Sequence, residues 1–293
     1  MDMMAERKMA ERKITEEAKQ KFLISLRGDE KSRATIEKYM RDIEKLEDYL
    51  QGTALDKEKL IAYKQHLQNS GLYKTASINS FLVVANHFCQ VMGWCDLRVK
   101  TLKQQRETFR PEEQHLTRQE YKILVQTAEQ TGNHRLALIL QTIGGTGIRI
   151  SELQYIDAAA VKSGMAYIRC KGKDRSILLP YRLQQLLRTY MHSQKITRGP
   201  VFCSSNGNPL DRSNIWREMK RLCRLTQIDE RKVFPHNFRH LFAVCFYQLE
   251  KDIVKLADIL GHSSVETTRI YMKTPGKEHR RLLNQMGMIF KTT

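Results

Sequence analysis

Apolar residues at Tyr39, Ile43, Leu46 and Leu50 recur every three to four positions, with Glu and Lys between them. That period predicts an amphipathic helix beginning near Ile36. Ser32 and Thr35 are both suited to cap its start, and Gly52 closes it. A second helix is expected from about Lys57 to Asn69, stopping at Gly71. A third is expected from Thr75 to Met92, with Ile78, Leu82, Val83, Ala85 and Phe88 turned inward and Gly93 at its end. No alternating strand pattern interrupts this stretch, so it reads as a small helical bundle. Ahead of it lies a near-duplication, Met4–Lys8 and Met9–Lys13. Two copies are too few for a repeat fold, and the segment reads as a frayed, charged helical start.

Periodicity breaks over Lys103–Gln114, a polar run containing Pro111, which predicts a linker. Thr117 then precedes a helical pattern, with Glu120 three residues later completing a capping-box signature. Helical spacing continues through Arg135 to Thr142. Tyr167–Cys170 and Ser176–Leu179 flank the turn-like residues Lys171–Arg175, which predicts a β-hairpin. Helices resume over Arg182–Met191, Arg212–Leu225, Phe238–Leu249 and Ile253–Leu260. The fold class is therefore mainly α, an N-terminal helical bundle followed by a helical domain with a small antiparallel sheet. The expected boundaries are 1–15 for the charged extension, 16–102 for the bundle, 103–114 for the linker, 115–275 for the second domain and 276–293 for a C-terminal tail or helix.

Charge adds what periodicity cannot. Fifty Lys and Arg against 32 Asp and Glu give a net charge of +18. Up to Leu102 there are 18 basic and 15 acidic residues, and after it 32 and 17, so the second domain carries most of the excess. A surface of this kind favours a polyanion, most commonly nucleic acid. An anionic membrane would call for a polybasic cluster beside an amphipathic anchor, which is not evident, and no apolar run reaches the ~18 residues of a spanning helix. The N-terminus is charged at once and lacks the apolar core of a secretion signal. The six cysteines form no CxxC pair and no disulfide framework. These features lead to the expectation of a cytoplasmic protein with reduced thiols.

Four separated pieces carry candidate chemistry. They are Gly145–Leu153, containing Arg149; Lys171 in the hairpin; His236-Asn237-Phe238-Arg239-His240; and Leu260–Tyr271, containing His262. In order and rough spacing they resemble the tyrosine recombinase, or phage integrase, family. Its active site comprises an Arg, a Lys, a His-x-x-Arg pair, a His or Trp, and a Tyr nucleophile. The N-terminal bundle resembles the family's core-binding domain more loosely. The candidate catalytic set is thus Arg149, Lys171, His236, Arg239, His262 and Tyr271. Lys173, two residues from Lys171, is the alternative general acid. Ile270-Tyr271-Met272-Lys273 departs from the family's more frequent Tyr-x-His, which leaves the nucleophile in place.

The chemistry explains the residue types. Attack on a phosphodiester builds negative charge on the non-bridging oxygens, and an arginine fork can hold two of them. Arg149 and Arg239 suit that clamp. A phenol ordinarily ionises only near pH ~10, so Tyr271 needs a base or nearby cations. His236 is the candidate base or phosphate donor, one helical turn from Arg239. His262 would donate to a non-bridging oxygen, and Lys171 would protonate the leaving 5′ oxygen. Glu152 would buttress Arg149, and His240 would buttress the site. His66, His87, His115, His134, His192 and His279 are expected to do structural work. A phosphotyrosine stores the bond energy, so neither metal nor cofactor is expected.

The resemblance also implies double-stranded DNA as partner, a C-shaped clamp around it, and a homotetramer made of one dimer per site. The apolar stripe Leu282, Leu283, Met286 and Ile289 would dock either on a neighbouring subunit or on its own domain. Two other readings fit parts of the pattern: a type IB topoisomerase, and a DNA-binding protein without catalysis.

Overall fold

The computed structural model describes residues 12–103, 115–170, 173–204, 208, 210–272 and 284–286. The chain divides into two compact units, Met1–Arg106 and Glu107–Thr293. Most of the expected linker and the expected C-terminal helix lie outside the described residues, as does the Met4–Lys8 and Met9–Lys13 duplication apart from Arg12 and Lys13.

Among the described residues the first unit contains four helices, α1 (Glu16–Gly28), α2 (Arg33–Leu50), α3 (Lys57–Asn69) and α4 (Thr75–Val91), followed by a 3₁₀ turn at Cys95–Leu97. Helix α1 is an addition to the sequence reading. Its apolar stripe is narrow, since only Phe22 and Leu26 are buried, but both are fully so. Burying such side chains stabilises by about 1.5–3 kcal/mol each, enough to hold an otherwise charged helix in place. Phe22 meets Phe88 of α4 edge-on at 5.3 Å between ring centroids. Of the two possible caps for α2, Ser32 is used, its hydroxyl accepting from the Thr35 amide. Residue 83 faces solvent and Val84 faces the core, the reverse of the inward Val83 expected.

The second unit is built around α6 (His134–Thr146), in which Leu136–Leu140 are all buried. Such a helix, apolar on nearly every side, must be covered all round. Helix α5 (Arg118–Gln130), α8 (Tyr181–Ser193), α9 (Arg212–Thr226) and α10 (Pro235–Glu250) pack on it. The capping box at the start of α5 forms as expected: Thr117 Oγ1 accepts from the Glu120 amide, and Glu120 Oε2 accepts from the Thr117 amide. Short helices α7 (Ala158–Ser163), α11 (Ile253–Leu260) and α12 (Val265–Arg269) complete the unit. No helix among the described residues is long and apolar enough to cross a membrane.

The hairpin is longer than its apolar residues suggested. Strands β1 (Met165–Cys170) and β2 (Lys173–Leu178) pair antiparallel, with Ile168 opposite Arg175 and Ala166 opposite Ile177. Those four share the inward face; Tyr167 and Leu178 point out and are exposed. Asp174 and Arg175, expected in the turn, are strand residues. An inward arginine hides a strand from a reading that looks for apolar alternation.

Candidate active site

Arg149 follows directly on α6. That helix stops at Gly147, whose left-handed φ of 67° turns the chain, and Arg149 then caps a 3₁₀ segment at Ile150–Tyr155. Glu152, buried on this segment, reaches back to accept from the Arg149 amide at 2.7 Å and from Arg149 Nη1 at 3.0 Å. Arg149 itself remains 43% exposed, so most of its fork is open to a ligand.

Helix α10 begins at Pro235, three residues earlier than the apolar pattern suggested. Proline fits the first helical position, where its missing N–H is no loss. The earlier start places exposed His236 in the first turn, and Arg239 one turn on is buried at 1% exposure. Arg239 Nη1 donates to the Gly147 carbonyl at 2.5 Å, and Nη2 to the Leu260 carbonyl at 2.8 Å. Burial pushes the Arg239 pKa down, and a hydrogen bond to the Tyr271 side chain opposes that. An arginine in this position stays charged.

His262 sits just past Gly261, where α11 ends in a left-handed turn. Its Nε2 lies 2.9 Å from Arg239 Nη2 and its Nδ1 lies 2.8 Å from Thr268 Oγ1. Guanidinium can only donate, so Nε2 accepts and Nδ1 carries the hydrogen given to Thr268. Burial foremost, then the charges of Arg239, Arg149 and Arg175, lower the His262 pKa to about 4. The ring is therefore neutral near pH 7.

Tyr271 follows α12 in a 3₁₀ turn, Ile270–Met272, and is buried among Ala243, Leu256 and Leu260. Its ring stacks on His262 at 5.8 Å, meets His240 edge-on at 5.3 Å and lies 6.0 Å from His236. Four of the six candidate residues, His236, Arg239, His262 and Tyr271, thus form one cluster. Arg149 joins it electrostatically, lowering the pKa of both Arg239 and His262. Lys171, the sixth candidate, lies outside the described residues, and the side chain of its alternative, Lys173, is not among those described.

Three neighbours were not placed at the site by the sequence reading, which left Arg175 and Thr268 unassigned and gave His115 a structural part. Arg175 donates to Glu152, Thr268 holds the His262 ring, and His115 packs its ring 4.8 Å from His240. Strand alternation was the available signal for Arg175, since it lies two positions from the apolar Ile177. A cavity of about 560 Å³ opens beside the cluster, lined by Arg149, Glu152, Arg175, Gly261 and His262 among others. Among the described residues, no group of three or more His, Cys, Asp or Glu is placed to hold a metal.

Residues 114–277 match the model of the phage integrase family, more than half of the chain. The chain belongs to the phage integrase family. Similar proteins include the tyrosine recombinase XerA of Pyrococcus furiosus, 26% identical over 96% of this chain and 98% of that protein. They also include the tyrosine recombinase XerD of Staphylococcus epidermidis, 26% identical over 87% of this chain and 92% of that one. Among solved structures, a lambda integrase tetramer bound to a Holliday junction superposes with a TM-score of 0.72. It is 16% identical and covers 92% of this chain and 80% of its own. That likeness is one of fold: mostly helical with a small two-stranded antiparallel sheet. The integrase-family chain described here is a tyrosine-type site-specific recombinase, and these relatives favour that reading over a topoisomerase or a silent DNA-binding protein.

Proposed function

We propose that this recombinase cuts and rejoins double-stranded DNA through a 3′-phosphotyrosyl bond at Tyr271, with Arg149, Lys171, His236, Arg239 and His262 as the other catalytic residues. The observation that carries the proposal is the packing of Tyr271 against His236, His262 and the buried Arg239 of its own chain. Nucleophile and clamp come from one protomer, so each subunit cleaves in cis.

The scissile phosphate enters beside Arg149 and Arg239, whose forks neutralise its non-bridging oxygens. Preorganised donors of this kind contribute about 10²–10³ each in rate. As Tyr271 attacks phosphorus its proton passes to a base, for which His236, exposed at the mouth of the cluster, is suited. The bond to the 5′ oxygen breaks, and Lys171 supplies the proton to that leaving group. His262 is neutral and accepting before DNA arrives. Phosphate charge favours its protonation, after which Nε2 donates to a non-bridging oxygen. The reverse steps, with a different 5′ hydroxyl attacking the phosphotyrosine, complete exchange without loss of bond energy.

By analogy with the junction-bound integrase tetramer, the working assembly is a homotetramer with one dimer per site. The first unit serves as the core-binding domain and the second as the catalytic domain, joined by the linker 103–114. A cytoplasmic location follows from a DNA substrate. The test uses nicked duplexes that trap the covalent intermediate. Wild type should give a covalent protein–DNA band on denaturing electrophoresis, and Tyr271→Phe should bind the same footprinted site without it. Binding by wild type with no covalent band would refute the enzymatic reading.

A further inference from the structure

Three segments bearing candidate catalytic residues meet at Arg175. It lies on the inward face of β2, opposite Ile168, in the hairpin that carries Lys171. Its Nη2 donates to Glu152 Oε2 at 2.5 Å, on the segment that Arg149 caps. Its Nη1 donates to the Ile259 carbonyl at 2.8 Å, in the last turn of α11 before His262. The fit to that turn is close. A Cβ built on Gly261 would fall 2.5 Å from Arg175 Cδ and 2.9 Å from its Nε and Nη1, so only glycine leaves room for the side chain. Arg175 is itself 13% exposed along its side chain, and both its terminal nitrogens are committed to protein oxygens.

The charges explain why a second arginine is needed here. Glu152 is buried, and a buried carboxylate is costly unless its oxygens are matched by donors. Oε2 takes Arg175 and the Arg149 amide, while Oε1 takes a single nitrogen of the Arg149 fork. Without Arg175, Glu152 would draw the Arg149 fork into a bidentate pair. That pair would occupy the donors meant for phosphate and cancel their charge.

We propose that Arg175 is a positioning residue for strand cleavage, which satisfies Glu152 so that Arg149 stays available to phosphate and ties the Arg149 segment, the hairpin and the His262 turn together. The proposal rests on the recombinase reading above. Arg175 also lowers the His262 pKa through its charge, consistent with its place in the cluster.

The test measures single-turnover formation of the covalent intermediate on a nicked duplex. Its site is selected from random-sequence DNA by the wild-type protein and verified by footprinting. Wild type and Tyr271→Phe are compared first, so failure of the recombinase reading shows itself before any Arg175 variant is examined. Arg175→Met should keep site affinity within about threefold while cleavage falls about 10²-fold, the scale of one lost preorganised donor. The deciding variant is Arg175→Met with Glu152→Gln. Removing the carboxylate releases Arg149, so the double variant should cleave about tenfold faster than Arg175→Met alone. Neutralising the buried Glu152 would restore stability for a merely structural arginine too, so cleavage is read per folded, site-bound protein, where only a role through Arg149 gives the rescue. Cleavage by Arg175→Met within about threefold of wild type, or a double variant no faster than the single one, would overturn the proposal. Should Arg175→Met not fold, Arg175→Lys with and without Glu152→Gln makes the same comparison with the charge retained but the fork lost.

Discussion

Gly147→Ala tests how closely the helix end and the arginine clamp depend on one another. Gly147 has φ +67°, a conformation that costs an L-residue about 1–2 kcal/mol. Space is also lacking: a Cβ there would lie 2.4 and 2.7 Å from two carbons of the Phe242 ring and 3.0 Å from Leu260 Cδ2. Phe242 is stacked on Phe246 at 6.0 Å and cannot simply rotate away. Overpacking of this kind costs about 1–3 kcal/mol, which brings the total to roughly 2–5 kcal/mol. The expected readout is a fall in the urea midpoint at unchanged slope. Cleavage should fall as well, because the Gly147 carbonyl accepts from Arg239. Adding Phe242→Leu should recover the steric share and leave the backbone share. Gly145→Ala is the control, since a Cβ there meets nothing within 4 Å, and it should be neutral or slightly stabilising. A loss below about 1 kcal/mol for Gly147→Ala, or no recovery with Phe242→Leu, would refute the reasoning.

Two further outcomes follow from the His262 environment. Thr268→Val preserves shape but removes the acceptor for Nδ1–H, so stability should fall by about 1 kcal/mol and covalent-intermediate formation about tenfold. An unchanged rate would mean that the ring is oriented by Arg239 alone. For pH, the folded His262 pKa of about 4 lies below the unfolded value near ~6.5. Between those values the unfolded chain binds the extra proton, so this residue's contribution is intact above about pH 6.5 and is lost as pH falls toward 4. Urea midpoints of wild type and His262→Gln measured from pH 7.5 to 4 should differ in slope within that window only. Parallel curves would show that His262 titrates normally.

Much of the architecture was legible along the chain because helices α2, α3 and α5 advertise themselves through local signals: a 3.6-residue stripe, a side-chain cap and a glycine shortly after the end. The reading failed where local signals and final environment part. Helix α1 buries only Phe22 and Leu26, too sparse a stripe to register, yet both fall into the core made by the other three helices. Strand β2 was cut short because Arg175 is polar, and its inward side chain is met by Glu152 and the Ile259 carbonyl. Helix α10 starts at Pro235, three residues before its apolar pattern begins.

For the site, the sequence by itself supplied the residue types, their order and their spacing through the resemblance of four separated pieces to the phage integrase pattern. It could also place His236 and Arg239 on one face, because a single turn of helix separates them. Tertiary structure alone decided the rest. The carbonyls of Gly147 and Leu260, 92 and 21 residues from Arg239, become its acceptors only when α6, α10 and α11 pack. The low His262 pKa arises from burial and three arginines brought together from different segments. Hydrogen-bond partners and local dielectric are properties of proximity in space, and spacing along the chain carries no record of them.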